Sequence, residues 1–244
     1  MRLGIISDIH GNLPALETAL AAIDAAGVEE VWCLGDVVGY GAQPDECARL
    51  VAERCPVSLV GNHDLAVLGA IEVSAFSPAA AEAVKWTQAN ASSGTLDYLR
   101  GLEPKDESRE VGLYHASPRD PVWEYVLWTD QAEDCIAAQS GRVSLIGHSH
   151  VALHFVAPGN DREVRGAHAE GGTRIELGDG RWLVNPGSVG QPRDGDPRAA
   201  WLELDTDSWA ATYHRTEYPI DRAAEAIAEA GLPEHLAARL YVGQ

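Results

Sequence analysis

Five short polar clusters punctuate this chain, each closing an apolar, strand-like run: Asp8-Ile9-His10, Gly35-Asp36, Gly61-Asn62-His63-Asp64, His115 and Gly147-His148-Ser149-His150. The apolar runs at 3–7, 31–34, 57–60, 111–114 and 143–146 read as short buried strands. Between the first two lies a helical stretch at 14–26, opened by Pro14 and stopped by Gly27. That is a βαβ opening. Further helices are predicted at 43–53, at 78–90 behind a Ser77 cap, and at 129–138 behind a Thr129 cap. Polar side chains that follow the strands of an α/β sheet converge at its carboxyl edge, where such folds bind their ligands.

From residue 151 onward the pattern changes to short strands, predicted at 151–156, 173–177, 181–184, 200–204 and 209–214. Gly178-Asp179-Gly180 and Asp205-Thr206-Asp207 read as turns between neighbouring strands. Helices at 219–230 and 233–240, separated by Gly231, close the chain. A β-rich second half joined to a βαβ first half predicts two packed sheets with helices outside. With 244 residues and 45% hydrophobic content the chain can bury a full core, so one domain over 1–244 is expected. Gly159-Asn160-Asp161 and residues 190–197 are the expected mobile loops.

Charge narrows the partners. The net charge is −19, from 18 basic and 37 acidic residues, and the lysines are Lys85 and Lys105. Tracking the phosphates of a long nucleic acid depends on basic surface, so that role is disfavoured. No apolar run approaches the ~18 residues of a membrane span, and the apolar stretch before Asp8 is too short for a secretory core. A cytoplasmic location is the expectation. Cys33, Cys47, Cys55 and Cys135 are scattered without close pairing, which fits reduced structural thiols.

Side chains two apart on an extended segment face the same side, so Asp8 with His10, and His148 with His150, can each serve one site. A single such pair says little, and an aspartate after a strand commonly caps a turn. The conjunction of Asp8, Asp36, Asn62, His115, His148 and His150 in strand-end contexts points to a two-metal hydrolytic site. Imidazole nitrogens mixed with carboxylate and amide oxygens, without thiolate, suit Mn²⁺, Fe, Co²⁺ or Zn²⁺ better than Ca²⁺ or Mg²⁺.

The ordered series Asp8-x-His10, Gly35-Asp36, Gly61-Asn62-His63-Asp64, His115 and Gly147-His148-x-His150 resembles the calcineurin-like metallophosphoesterase superfamily. The stretch from Asn185 through Pro186, Gly187, Ser188 and Gly190 to Arg193 is similar to a segment of its small bacterial members. The resemblance implies an αββα sandwich of two mixed sheets flanked by helices, with a dinuclear metal site at the strand carboxyl ends. It implies one ion on Asp8, His10 and His150, a second on Asn62, His115 and His148, and Asp36 bridging the two. His63 would be the general acid for a direct attack by a bridging hydroxide.

The protein Ser/Thr phosphatases of that superfamily, and its diadenosine-polyphosphate hydrolases, follow the bridging aspartate with a V-D-R-G stretch whose arginine grips phosphate. Here the residues are Val38-Gly39-Tyr40-Gly41, which weakens both readings. Tyr40, Arg119, Arg193 and Asn12 are the candidate substrate contacts, and Asp64 either orients His63 or caps a helix. Trp123, Tyr125 and Trp128 read either as core or as the wall of a nucleobase pocket. The expected function is hydrolysis of a small phosphomonoester or phosphodiester; a non-catalytic scaffold of the same fold is the alternative of another kind.

Overall fold

Alternate residues of the first strand already define the layers. Leu3 and Ile5 face a core shared with Leu113, Leu145 and Val184, whereas Ile6 faces a second core with Leu16, Ala19 and Ile23 of the following helix. A strand buried on both faces must be apolar without interruption, which is why this one reads as a continuous hydrophobic run. Gly4 lets that helix approach closely, since a Cβ there would sit 2.9 Å from Ile23 Cγ2.

The computed structural model describes residues 1–159 and 163–244. The first half comprises β1 (Arg2–Ile6), α1 (Leu13–Ala26), β2 (Glu30–Cys33), α2 (Pro44–Arg54), β3 (Val57–Ser58), α3 (Asn62–Val67), α4 (Pro78–Asn90) and α5 (Ser93–Arg100). There follow β4 (Lys105–Asp106), β5 (Val111–Tyr114), α6 (Thr129–Ala138), β6 (Val143–Leu145), β7 (Ala152–Ala157), β8 (Arg165–His168), β9 (Arg174–Glu176) and β10 (Arg181–Pro186). β11 (Ala199–Asp205), β12 (Ala210–Thr216), α7 (Ile220–Glu229) and α8 (Glu234–Ala238) complete the order. Two six-stranded mixed sheets result, β3-β2-β1-β11-β12-β9 and β4-β5-β6-β10-β7-β8, with helices on their outer faces. In the first, β1, β2 and β3 run parallel; in the second, β5, β6 and β10 do. All six parallel strands deliver their carboxyl ends to one region.

The sequence readings hold for most elements. α4 starts where the Ser77-Pro78 signal places it, with Ala80 N donating to Ser77 Oγ at 3.5 Å. Four readings differ. Gly178-Asp179-Gly180 does not join paired neighbours: β9 lies in one sheet and β10 in the other, so this turn carries the chain between layers. Thr129 is the first residue of α6 and does not cap it; Gln131 Oε1 does, accepting from Leu127 N at 3.0 Å and Trp128 N at 3.2 Å. Residues 190–197, expected to be loose, are pinned by Gly190 N to Asp8 O at 3.0 Å, Arg193 N to His150 O at 3.1 Å and Gly195 N to Gly243 O at 2.9 Å. β8 was not anticipated, because its four residues are all exposed and show no apolar alternation, and neither were α5 and β4. Of the loop expected at Gly159-Asn160-Asp161, Asn160 and Asp161 lie outside the described residues.

Candidate functional site

The strand-end loops leave extended geometry abruptly. Asp8, His10, Asp36, Tyr40, His148 and His150 all have left-handed φ, between 53° and 63°. Such a conformation is strained for a residue with a Cβ and persists only where its surroundings hold it. Here neighbouring loops zip together: Asp8 N donates to Gly35 O at 3.0 Å, His10 N to Asp36 O at 2.9 Å, and Gly147 N to His115 O at 2.8 Å. The segment after β10 adds a brace. Asn185 Nδ2 donates to Gly147 O at 2.7 Å, Ser188 Oγ to Asp8 O at 2.7 Å, and Val189 N to Ser7 O at 3.0 Å.

These loops bring all seven expected ligand residues together, every one buried. Ligand atoms of Asp8, His10, Asp36 and His150 lie within 4.8 Å of one another, as do those of Asp36, His115 and His148, so Asp36 belongs to both sets. Asn62 Oδ1 lies 3.2 Å from His115 Nε2, beside the second set.

Each of the four imidazoles spends one nitrogen on a backbone carbonyl. His10 Nδ1 lies 3.1 Å from Val38 O, His115 Nδ1 2.9 Å from Leu34 O, His150 Nδ1 2.6 Å from Gln191 O, and His148 Nε2 3.2 Å from Trp123 O. A carbonyl only accepts, so these nitrogens donate and the other nitrogen of each ring is a lone pair turned inward. The inward Nε2 atoms of His10 and His150 are 3.0 Å apart. Asp36 Oδ2 lies 3.5 Å from His10 Nε2 and 3.6 Å from His115 Nε2, and it is buried without a hydrogen-bond partner. A buried cluster of acceptors facing acceptors fits cations and little else.

Titration follows the same logic. Burial pushes the Asp8 carboxyl up to about 7, with the Asp36 charge adding and the nearby His115 opposing. Burial, then the neighbouring Asp64, raises Asp36 well above the ordinary carboxylate range. Burial holds His10, His148 and His150 well below the usual imidazole value. Each shift disfavours charge on a group that a cation would stabilise.

His63 opens α3 beside the cluster, in ring contact with His10, Tyr40 and Phe76 at centroid distances of 4.8, 4.4 and 4.9 Å. Its Nδ1 is buried without a partner against Gly39, where a Cβ would come within 2.7 Å. Asp64 does not orient it. That carboxylate accepts from the backbone nitrogens of Val37, Val38 and Gly61 at 3.2, 2.9 and 3.0 Å, tying the loop after β2 to α3.

A cavity of about 420 Å³ opens over the cluster, and Tyr40, His63 and Arg193 line it. Arg193 donates to Gln191 Oε1 at 2.9 Å and reaches Tyr40 Oη at 3.4 Å. The other two candidate substrate contacts are occupied elsewhere. Asn12 caps α1, accepting from Ala15 N at 3.2 Å and donating to Gly190 O at 2.8 Å. Arg119 pairs with Asp134 and lies 3.6 Å from Glu124. Trp123 and Tyr125 do wall the cavity, Tyr125 being 42% exposed, whereas Trp128 is 69% exposed on a separate groove of about 180 Å³. Phe76 and Arg239 also line the cavity and were missed, because neither stands near a motif.

Comparison with known proteins places these findings. A model of the calcineurin-like phosphoesterase superfamily domain matches residues 1–207. An uncharacterized protein of Methanocaldococcus jannaschii is 38% identical over 247 residues, spanning 99% of this chain and 98% of that protein. The crystal structure of a metallophosphoesterase from Sphaerobacter thermophilus is 39% identical, covers 100% of this chain and 99% of its own, and has a TM-score of 0.90. A symmetrical bis(5'-nucleosyl)-tetraphosphatase of Actinobacillus pleuropneumoniae is 33% identical over 70 residues, 28% of this chain and 26% of that enzyme.

Proposed function

The chain belongs to the calcineurin-like phosphoesterase superfamily, and on that premise we propose that it hydrolyses a small phosphomonoester or phosphodiester, nucleotides included, with two divalent or transition-metal ions. The observation that carries this reading is Asp36, whose buried, unpartnered Oδ2 lies between two groups of inward-facing imidazoles. Asp8, His10 and His150 would hold one ion, Asn62, His115 and His148 the other, and Asp36 would serve both; Mn, Fe, Zn or Co would suit the donors. When bound, such ions would supply an activated water and offset charge growing on the phosphoryl oxygens.

The remaining work falls to the chain's own groups. His63 gives a proton to the leaving oxygen. Burial, the largest influence on it, holds its ring neutral, but a phosphoryl group in the cavity brings negative charge beside it and favours the imidazolium that a general acid needs. With Nδ1 against Gly39, Nε2 is the nitrogen left for that transfer. Arg193 turns the phosphoryl group by hydrogen bonds to its oxygens, and the Phe76, Trp123 and Tyr125 wall suits a planar leaving group.

A cavity of this size supports a small ester over a folded phosphoprotein. Hydrolysis of a dinucleoside polyphosphate is the second reading, supported by the 70-residue match and weakened by Tyr40 standing in place of an arginine. Retention of His63 and all seven ligand positions argues against a non-catalytic scaffold. Among the described residues no helix is long and apolar enough to cross a membrane, and a cytoplasmic enzyme is the location we assign.

Metal analysis of protein purified without chelators, then hydrolysis of p-nitrophenyl phosphate and bis-p-nitrophenyl phosphate with Mn²⁺ or EDTA, tests the reading. EDTA-sensitive turnover of either ester is the expected result. Inactivity towards both esters and a nucleotide panel at full metal loading selects the scaffold.

A further inference from the structure

Two guanidinium groups share the cavity over the cluster: Arg193, after β10, and Arg239, in the turn that follows α8. Several arginines elsewhere in this acidic chain, Arg2, Arg49, Arg54, Arg198 and Arg215, sit against carboxylates, and Arg142 and Arg181 against backbone carbonyls. Arg193 and Arg239 share one cavity and, among the described residues, meet no side-chain carboxylate. Arg193 meets the amide of Gln191 and the hydroxyls of Tyr40 and Tyr125, at 2.9, 3.4 and 3.5 Å, and its buried Nε has no partner. Arg239 donates Nε to the backbone oxygen of Gln244.

Like charges in a half-buried cavity repel unless an anion sits with them. Burial, and next the Arg193 charge, lowers the pKa of Arg239, so the two side chains feel one another. One phosphoryl group at the cluster leaves Arg239 without a task. A substrate with a second phosphate does not. The aromatic wall of Phe76, Trp123 and Tyr125, with ring centroids of Phe76 and Trp123 5.1 Å apart, gives a planar ring a surface in the same cavity. Arg239 also lies beyond the residues 1–207 that match the superfamily, so the family likeness assigns it nothing.

Resting on the phosphoesterase reading for the first phosphate, we propose that the cavity takes a nucleotide carrying at least two phosphates, with the second held by Arg193 and Arg239. Arg239 is then a specificity-determining residue, and it separates nucleoside diphosphates and longer chains from simple phosphomonoesters.

The test is equilibrium binding, which is independent of turnover. Adenosine, AMP, ADP, phosphate and pyrophosphate are titrated by calorimetry into the full chain, with Mn²⁺ and with EDTA. The wild type is expected to bind ADP about tenfold or more tightly than AMP, as a charge-assisted bidentate contact implies. In Arg239→Ala that ratio is expected to fall below about threefold, and Arg239→Lys to restore part of it, thermal melts showing that both variants remain folded. An unchanged ADP-to-AMP ratio in Arg239→Ala overturns the proposal, as does a wild type that does not distinguish the two. ADP binding no tighter than pyrophosphate overturns the nucleotide half of it. Failure of the phosphoesterase reading looks different: neither nitrophenyl ester is cleaved, whatever the binding ratio.

Discussion

Asp36 concentrates the physics of the site in one side chain. Its Oδ1 accepts from His63 N at 2.9 Å, while Oδ2 faces the lone pairs of His10 and His115 with nothing to donate to it. Replacing that oxygen by an amide nitrogen turns the repulsion into attraction, since the new side chain would present N–H groups to the same imidazoles. Asp36→Asn is therefore expected to raise the stability of the metal-free protein by about 1–2 kcal/mol, while the stabilisation that Mn²⁺ gives the wild type is lost. Thermal melts with and without Mn²⁺ check both halves, and a variant that Mn²⁺ still stabilises fully would remove Asp36 from its assigned place. His63→Ala has the opposite profile. It should keep its metal content and lose about 10²–10⁴ in turnover, measured as kcat on an activated ester beside metal analysis. Full activity with unchanged metal would exclude the ring from proton transfer.

Elements fix the histidines through backbone, and this is the part of the site that a sequence hides. Strand-end aspartates and histidines are legible because their side chains carry the chemistry, whereas the carbonyls of Leu34, Val38, Trp123 and Gln191 that set the tautomers belong to residues of no particular type. For the same reason Gly178-Asp179-Gly180 is readable as a turn but not as a crossing between sheets, and exposed β8 is not readable at all. α1 and α4 were legible because Pro14, Gly27, Ser77 and Pro78 mark their ends, whereas the cap made by Asn12 was not read. The loop between β5 and α6 shows the consequence. His148 Nε2 donates to Trp123 O in a loop that Glu124 helps to hold, through Ser117 Oγ, Cys135 Sγ at 3.3 Å and Arg119 Nε at 3.6 Å. Glu124→Ala is expected to weaken one of the two proposed metal sites by about 10–100-fold and to spare the Asp8, His10 and His150 side. Stepwise metal titration reads this as one weakened and one unchanged binding event; two equally weakened events would mean that the loop acts on the whole cluster.

At the scale of the whole molecule, two sheets bury two carboxylates and four imidazoles where six parallel strands end, so folding and protonation are linked, and the proposed metal loading would join the same equilibrium. An aspartate ordinarily titrates at 3.8, whereas Asp8 stands at about 7 in the fold. Its contribution to metal-free stability is thus full below about 4 and lost as pH rises towards 7, because the fold disfavours the ionised form. His10, His148 and His150 are lowered by burial from an ordinary value of 6.5. Their contribution is full above 6.5 and is lost progressively as pH falls from there through their lower values in the fold, because the unfolded chain takes up protons that the fold refuses. The two groups oppose each other, and a bound metal would resolve the conflict on the carboxylate side alone: burial keeps His10, His148 and His150 neutral near pH 7, whereas Asp8 must shed a proton to bind. Metal affinity is therefore expected to fall about tenfold between pH 8 and pH 6 from Asp8 alone, with Asp36 adding in the same direction. Calorimetric titration of Mn²⁺ in buffers of different ionisation enthalpy measures the protons released. More protons should leave at pH 6 than at pH 8; heats independent of the buffer at pH 6 would show that the buried carboxylates are ionised before metal arrives, and the linkage would fail.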